Sequence, residues 1–85
     1  MKKLTKVHAR YYAQLREALG KQGEEFEVEL PATEAEILAQ LGARHPAHSE
    51  LIAASRLAVE DEYLPQGTVI RELKSVDVIS PVSGG

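Results

Sequence analysis

At 85 residues the chain has room for one domain with a modest core, and none for a second domain or a deep enclosed active site. Its 44% hydrophobic and 27% charged residues are those of an ordinary folded domain, and the absence of cysteine excludes disulfides, thiolate metal sites and cysteine nucleophiles together. The net charge of −3 comes from interleaved charges, which argues against a nucleic-acid partner; no apolar run offers a membrane span, no secretory signal follows Lys2, Lys3 and Lys6, and the cytoplasm is the expected compartment.

Lys6 to Tyr12 alternates, with Val7, Ala9 and Tyr11 on one face and His8, Arg10 and Tyr12 on the other, which predicts a first strand. Ala13 to Leu19 places Leu15, Ala18 and Leu19 at helical spacing and meets Gly20, a suitable C-terminal cap. Glu25 to Leu30 alternates without a fault, so Phe26, Val28 and Leu30 should face a core while three glutamates face water. After Pro31, Thr33 and Glu36 have the spacing of a capping box, in which each side chain satisfies a free backbone N–H of the other. Ile37, Leu38 and Leu41 supply the buried stripe of that main helix, which ends at Gly42 or runs on to His45, before Pro46.

Ser49 to Ala54 adds a turn of helix, Arg56 to Val59 reads as a strand, and Glu60-Asp61-Glu62 as its exposed end or turn. Tyr63-Leu64 is a short return strand closed by Pro65, and Ser75 to Ser80 is the last strand. The order predicts an α+β domain over residues 1–80: a ubiquitin-like β-grasp with a mixed β-sheet packed on one main helix and an extra short helix after strand one. A ferredoxin-like sandwich is the rival arrangement. Residues 81–85 remain as a C-terminal tail, expected to be flexible.

That tail, Pro81-Val82-Ser83-Gly84-Gly85, carries the chemistry. A chain-terminal carboxylate is ionised at neutral pH, with a reference pKa of about 3.5, and is a poor electrophile until something activates it. Adenylation would make it an acyl donor, and a sulfur nucleophile would then leave a thiocarboxylate. Gly84 and Gly85 lack Cβ atoms and fit a narrow slot; no charged side chain follows Ser80, and Pro81 stiffens the exit from the sheet. With glycine at about 7% of residues, a terminal Gly-Gly occurs by chance in about 0.5% of chains, so it discriminates only when joined to the fold. The bland alternative is an inert glycine-rich end.

Two segments bear a resemblance to the small, sulfur-carrying subunit of molybdopterin synthase. They are the run from Val7 through Tyr11-Tyr12-Ala13-Gln14-Leu15-Arg16-Glu17 to Gly20, and Pro81 to Gly85. That family typically passes from its first strand through an aromatic pair and Ala-Gln into a Leu/Val-Arg-Glu helix, which shorter sulfur carriers for thiamine synthesis usually lack. This chain has Leu73-Lys74 where the family often has Gly-Asp, Ser80-Pro81 for Pro-Pro, and Val59-Glu60 for Val-Asn.

The resemblance implies that Gly85 is the reacting residue, adenylated by a ubiquitin-activating-like enzyme that uses ATP and then loaded as a thiocarboxylate by a sulfur donor protein. It implies insertion of Pro81, Val82, Ser83 and Gly84 into the synthase large subunit, where sulfur passes to cyclic pyranopterin monophosphate in molybdenum cofactor biosynthesis. The chain would then be a non-catalytic, sulfur-donating subunit, with no cofactor or metal of its own and neither nucleic acid nor membrane as partner. Arg16 matches the family's helix arginine and would lie at a partner surface, although a solvated helix charge accounts for it equally well. Carriage for thiamine thiazole formation or tRNA thiolation, and a ubiquitin-like modifier, share the same tail chemistry.

The remaining candidates favour bland readings. His45-x-x-His48 has Pro46 between its members and no cysteine to complete a metal set, so a surface loop is expected. Glu60-Asp61-Glu62 reads as solvated charge, Ser80 and Ser83 have no base beside them, and no phosphate-binding glycine loop exists. Tyr11, Tyr12 and Tyr63 read as core or sheet-face residues.

Overall fold

The computed structural model describes residues 2–81. The tail residues Val82, Ser83, Gly84 and Gly85 lie outside the described residues. The elements are β1 (Lys3–Tyr12), α1 (Ala13–Leu19), β2 (Gly23–Leu30), α2 (Glu34–Arg44), α3 (Ser49–Ala53), β3 (Arg56–Val59), β4 (Glu62–Tyr63) and β5 (Ser75–Ile79), with a 3-10 turn at Pro46–His48 before α3. They form a five-stranded mixed sheet of order β2-β1-β5-β3-β4, in which β1 and β5 are parallel and the other pairings antiparallel. This is the ubiquitin-like β-grasp, and the strand and helix order excludes the ferredoxin-like alternative.

Period-two burial builds the sheet. Val7, Ala9 and Tyr11 of β1 and Phe26, Val28 and Leu30 of β2 point into one core with Val76 and Val78 of β5 and Leu57 of β3. Helix α2 closes it with Ile37, Leu38 and Leu41, and Leu15 of α1 and Ile52 of α3 fill the flanks. The capping box at Thr33 and Glu36 forms as the spacing predicts. Its hydrogen bond from the Thr33 N–H holds the Glu36 carboxyl below the usual carboxylate range. Glu34, one residue into the helix, is buried, accepts the Leu57 N–H at 2.8 Å and pairs with Arg56 at 3.1 Å, which ties the helix start to β3.

Several boundaries differ from the sequence expectation, each for a local reason. β1 begins at Lys3 rather than Lys6, because β2 continues to offer backbone partners as far as Lys3 opposite Leu30. β2 likewise starts at Gly23, whose missing side chain lets the Ala9 carbonyl approach; a Cβ there would stand 2.5 Å from that oxygen. α2 takes the longer of its two expected courses, passing through Gly42, against which Ser49 packs, to Arg44 with His45 as its C-cap. In the acidic cluster only Glu60 and Asp61 make the turn, with φ of 52° and 67°, and Glu62 belongs to β4, so the return strand is Glu62–Tyr63 rather than Tyr63-Leu64. β5 ends at Ile79, one residue short of Ser80.

Candidate functional site: the root of the C-terminal tail

Because β5 is a central strand, the tail starts from the middle of the sheet. Val76 and Val78 bury one face of β5 against the core, and Asp77 projects from the other. Asp77 is largely buried and accepts a bond from the Arg10 Nε at 2.9 Å, opposite it in register; the Tyr12 hydroxyl lies 3.5 Å from the same oxygen. The bond to Asp77, and then that carboxylate's charge, raise the pKa of Arg10.

One step further on, Ser80 is buried. Its Oγ accepts the Leu15 N–H at 3.2 Å and donates to the Tyr12 carbonyl at 3.3 Å, and Pro81 beyond it is exposed. In the sequence Ser80 shows only that it has no base beside it, since this contact spans 65 residues and has no local signature. Asp77 likewise shows in the sequence only as a member of the last strand.

Two surfaces flank the root. Arg16 is exposed and lines an open cleft with His8, Arg10, Tyr12, Gln22 and Gly23, so the structure places it beside β1 and the start of β2. On the sheet face opposite the helices, Tyr12, Ile79 and Arg56 stand side by side in register, and Ala58 pairs with Tyr63, whose exposed ring lies 5.0 Å from the Arg56 guanidinium carbon. Tyr11, in contrast, is a core residue.

The histidine pair is not brought together as a ligand set. His48 lies in the 3-10 turn, while His45 ends α2 and bonds through Nε2 to Glu24, which also receives the Tyr11 hydroxyl and Lys21. Burial pushes the Glu24 carboxyl up, but the bonds from Tyr11, His45 and Lys21 together hold it below its usual value. Burial first, then the bond to Glu24, raises Tyr11 far above the usual phenol value. Among the described residues no group of three or more His, Asp or Glu side chains could hold a metal, and no helix is long and apolar enough to cross a membrane.

A mixed sheet grasping one main helix, with the chain's end leaving from its central strand, defines a ubiquitin-like protein. The profile of the ThiS family matches residues 9–85, nearly the whole length, and the chain belongs to that family. Among solved structures it is similar to a Pyrococcus furiosus protein described as a molybdopterin converting factor, subunit 1, with 24% identity, a TM-score of 0.70, and coverage of 92% of this chain and 99% of the other. It is similar too to small archaeal modifier protein 1 of Haloferax volcanii (21% identity, TM-score 0.69, coverage 92% and 99%). The protein of that name from Methanosarcina acetivorans gives 19% identity, a TM-score of 0.67, and coverage of 98% and 99%. At these identities the likeness carries the fold alone. No curated protein sequence matches the chain.

Proposed function

We propose that this chain is the sulfur carrier subunit of molybdopterin synthase. The observation that carries the reading is α1: Tyr11 to Glu17 fold as the strand-to-helix passage typical of small synthase subunits and usually missing from the shorter thiamine carriers. Membership of the ThiS family and the terminal Gly84-Gly85 support carriage in general, and the likeness in fold to the Pyrococcus furiosus protein is consistent with the narrower reading.

The reacting group is the Gly85 carboxylate. One of its oxygens attacks the α-phosphate of ATP held by a ubiquitin-activating-like enzyme; a C–O–P linkage forms, the bond to the β-phosphate breaks, and pyrophosphate leaves. Sulfur at the sulfide oxidation level, supplied by a sulfur donor protein, then attacks the carbonyl carbon. The C–O bond breaks, AMP departs, and a thiocarboxylate remains. In the large subunit that sulfur passes to the pterin precursor and water restores the carboxylate, so two loaded carriers serve each dithiolene. This chain contributes positioning: Pro81 to Gly84 place the group, and their uncharged side chains keep the desolvation cost of entry to the terminal group itself. The cleft around Arg16 and the sheet face around Tyr12 and Tyr63 are the surfaces a partner would grip.

Coexpression with an activating enzyme and sulfur donor should yield intact chain heavier by the difference between sulfur and oxygen; a mass unchanged in repeated trials would count against carriage. The likeness in fold to small archaeal modifier proteins favours a second reading, attachment of Gly85 to lysine amines. Isopeptide-linked conjugates without thiocarboxylate would select it.

A further inference from the structure

The backbone beside Ser80 is strained. Ala13, the first residue of α1, has φ of 55°, a left-handed conformation that residues bearing a Cβ rarely adopt. Such a conformation persists only where its surroundings over-determine it. Here the two bonds of the Ser80 hydroxyl fall on either side of it, on the Tyr12 carbonyl and the Leu15 N–H. The same hydroxyl caps α1 from a distance, since the Tyr12 side chain at the N-cap makes no capping bond and the Leu15 N–H is one of the helix's free donors. With the Arg10 to Asp77 pair on the opposite face, the end of β5 is held from both sides, up to the residue before the exposed Pro81.

We propose that Ser80 is a positioning residue for the reaction at Gly85, fixing the point and direction in which the last five residues leave the sheet and tying that exit to α1. This rests on the carrier reading above. Every position the last residues can reach is measured from this anchor, so a shift of the root shifts that whole set of positions with it. A misplacement of about 1 Å at a reacting centre costs up to about 100-fold in rate.

The test compares Ser80→Ala, Ser80→Thr, which keeps the hydroxyl, and Ile52→Val, a core change remote from the tail whose loss of thermal stability serves as the control. ATP–pyrophosphate exchange with the activating enzyme reads kcat and KM for the carrier. Independently, a nitroxide on Glu17→Cys, a unique thiol in this cysteine-free chain, reads paramagnetic broadening at the amides of residues 83–85. Ser80→Ala should lower kcat about tenfold at unchanged KM and alter the broadening pattern. Ser80→Thr should restore both, and Ile52→Val should move neither. Ser80→Ala matching Ile52→Val in both readouts overturns the proposal while leaving carriage intact. If the wild-type chain is never adenylated, carriage fails and the broadening arm still decides: an altered pattern supports an exit set by Ser80, an unchanged one refutes it.

Discussion

Tail length is the most demanding prediction of the carrier reading. Among the described residues the last side chain held by the fold is Ser80, and five residues run from it to the terminal carboxylate. Deleting Gly85, or appending one glycine after it, shifts the reacting carbon by about 3.3 Å relative to that anchor. Since about 1 Å already matters, sulfur transfer should fall by about 100-fold or more, a barrier increase of at least about 2.7 kcal/mol at about 1.36 kcal/mol per decade. The fold should be untouched, because the core and the Ser80 bonds all lie at or before residue 80. The assay is molybdopterin formation in a reconstituted mixture of carrier, activating enzyme, sulfur donor and large subunit, alongside thermal unfolding of each variant. Wild-type turnover by either variant would refute the reasoning. Loss of activity together with a lowered Tm would show that the end is structural rather than chemical.

Other predictions concern what holds the domain together. Glu34→Ala removes the acceptor of the Leu57 N–H and the partner of Arg56, leaving a buried donor unpaired; urea unfolding should show a loss of about 2–4 kcal/mol, against about 1 for Glu34→Gln, and a loss under about 0.5 kcal/mol for alanine would contradict the tie between α2 and β3. Glu24 has its pKa lowered in the fold, so the stability it contributes is present above its ordinary value of 4.5 and drains away as pH falls through the lower folded value. The stability of the wild type should therefore fall more steeply below pH 4.5 than that of Glu24→Gln, and parallel acid-unfolding curves would dismiss the linkage. Glu60 and Asp61 occupy a two-residue turn with positive φ at both positions, where Asn-Gly is the favoured pair. The double change Glu60→Asn and Asp61→Gly should raise stability by about 1 kcal/mol in the same urea assay; no gain would mean that the strain is absent in solution.

Elements with a strong local signal were legible. The unbroken alternation of residues 25–30, the Thr33 and Glu36 box and the glycine at position 20, with φ of 70°, each point to structure through neighbours two to four residues away. Elements defined by distant partners were not. Lys3 to Thr5 join β1 because β2 offers them backbone bonds, although Leu4 is exposed. The sequence allows Gly42 as a helix end or a helix interior, because what decides it, the packing of Ser49, belongs to the next helix. At the site, the sequence pointed to the terminal glycines and Arg16, whereas Ser80 and Asp77 acquire their roles only when β1 and β5 are laid side by side.

The acyl chemistry of a terminal glycine is the same whichever pathway receives the sulfur, so discrimination between partners must come from the folded surface around the tail. Here that surface is bonded to the root of the tail through Ser80. α1 carries Arg16 into the cleft along β1, and its first turn, with the strained Ala13, is held by the Ser80 hydroxyl at the root. If Ser80 holds the root as proposed, a partner that grips α1 also holds the start of the tail. A carrier without this helix would lack the Leu15 donor and the strained junction, and would have to orient its end through sheet contacts alone.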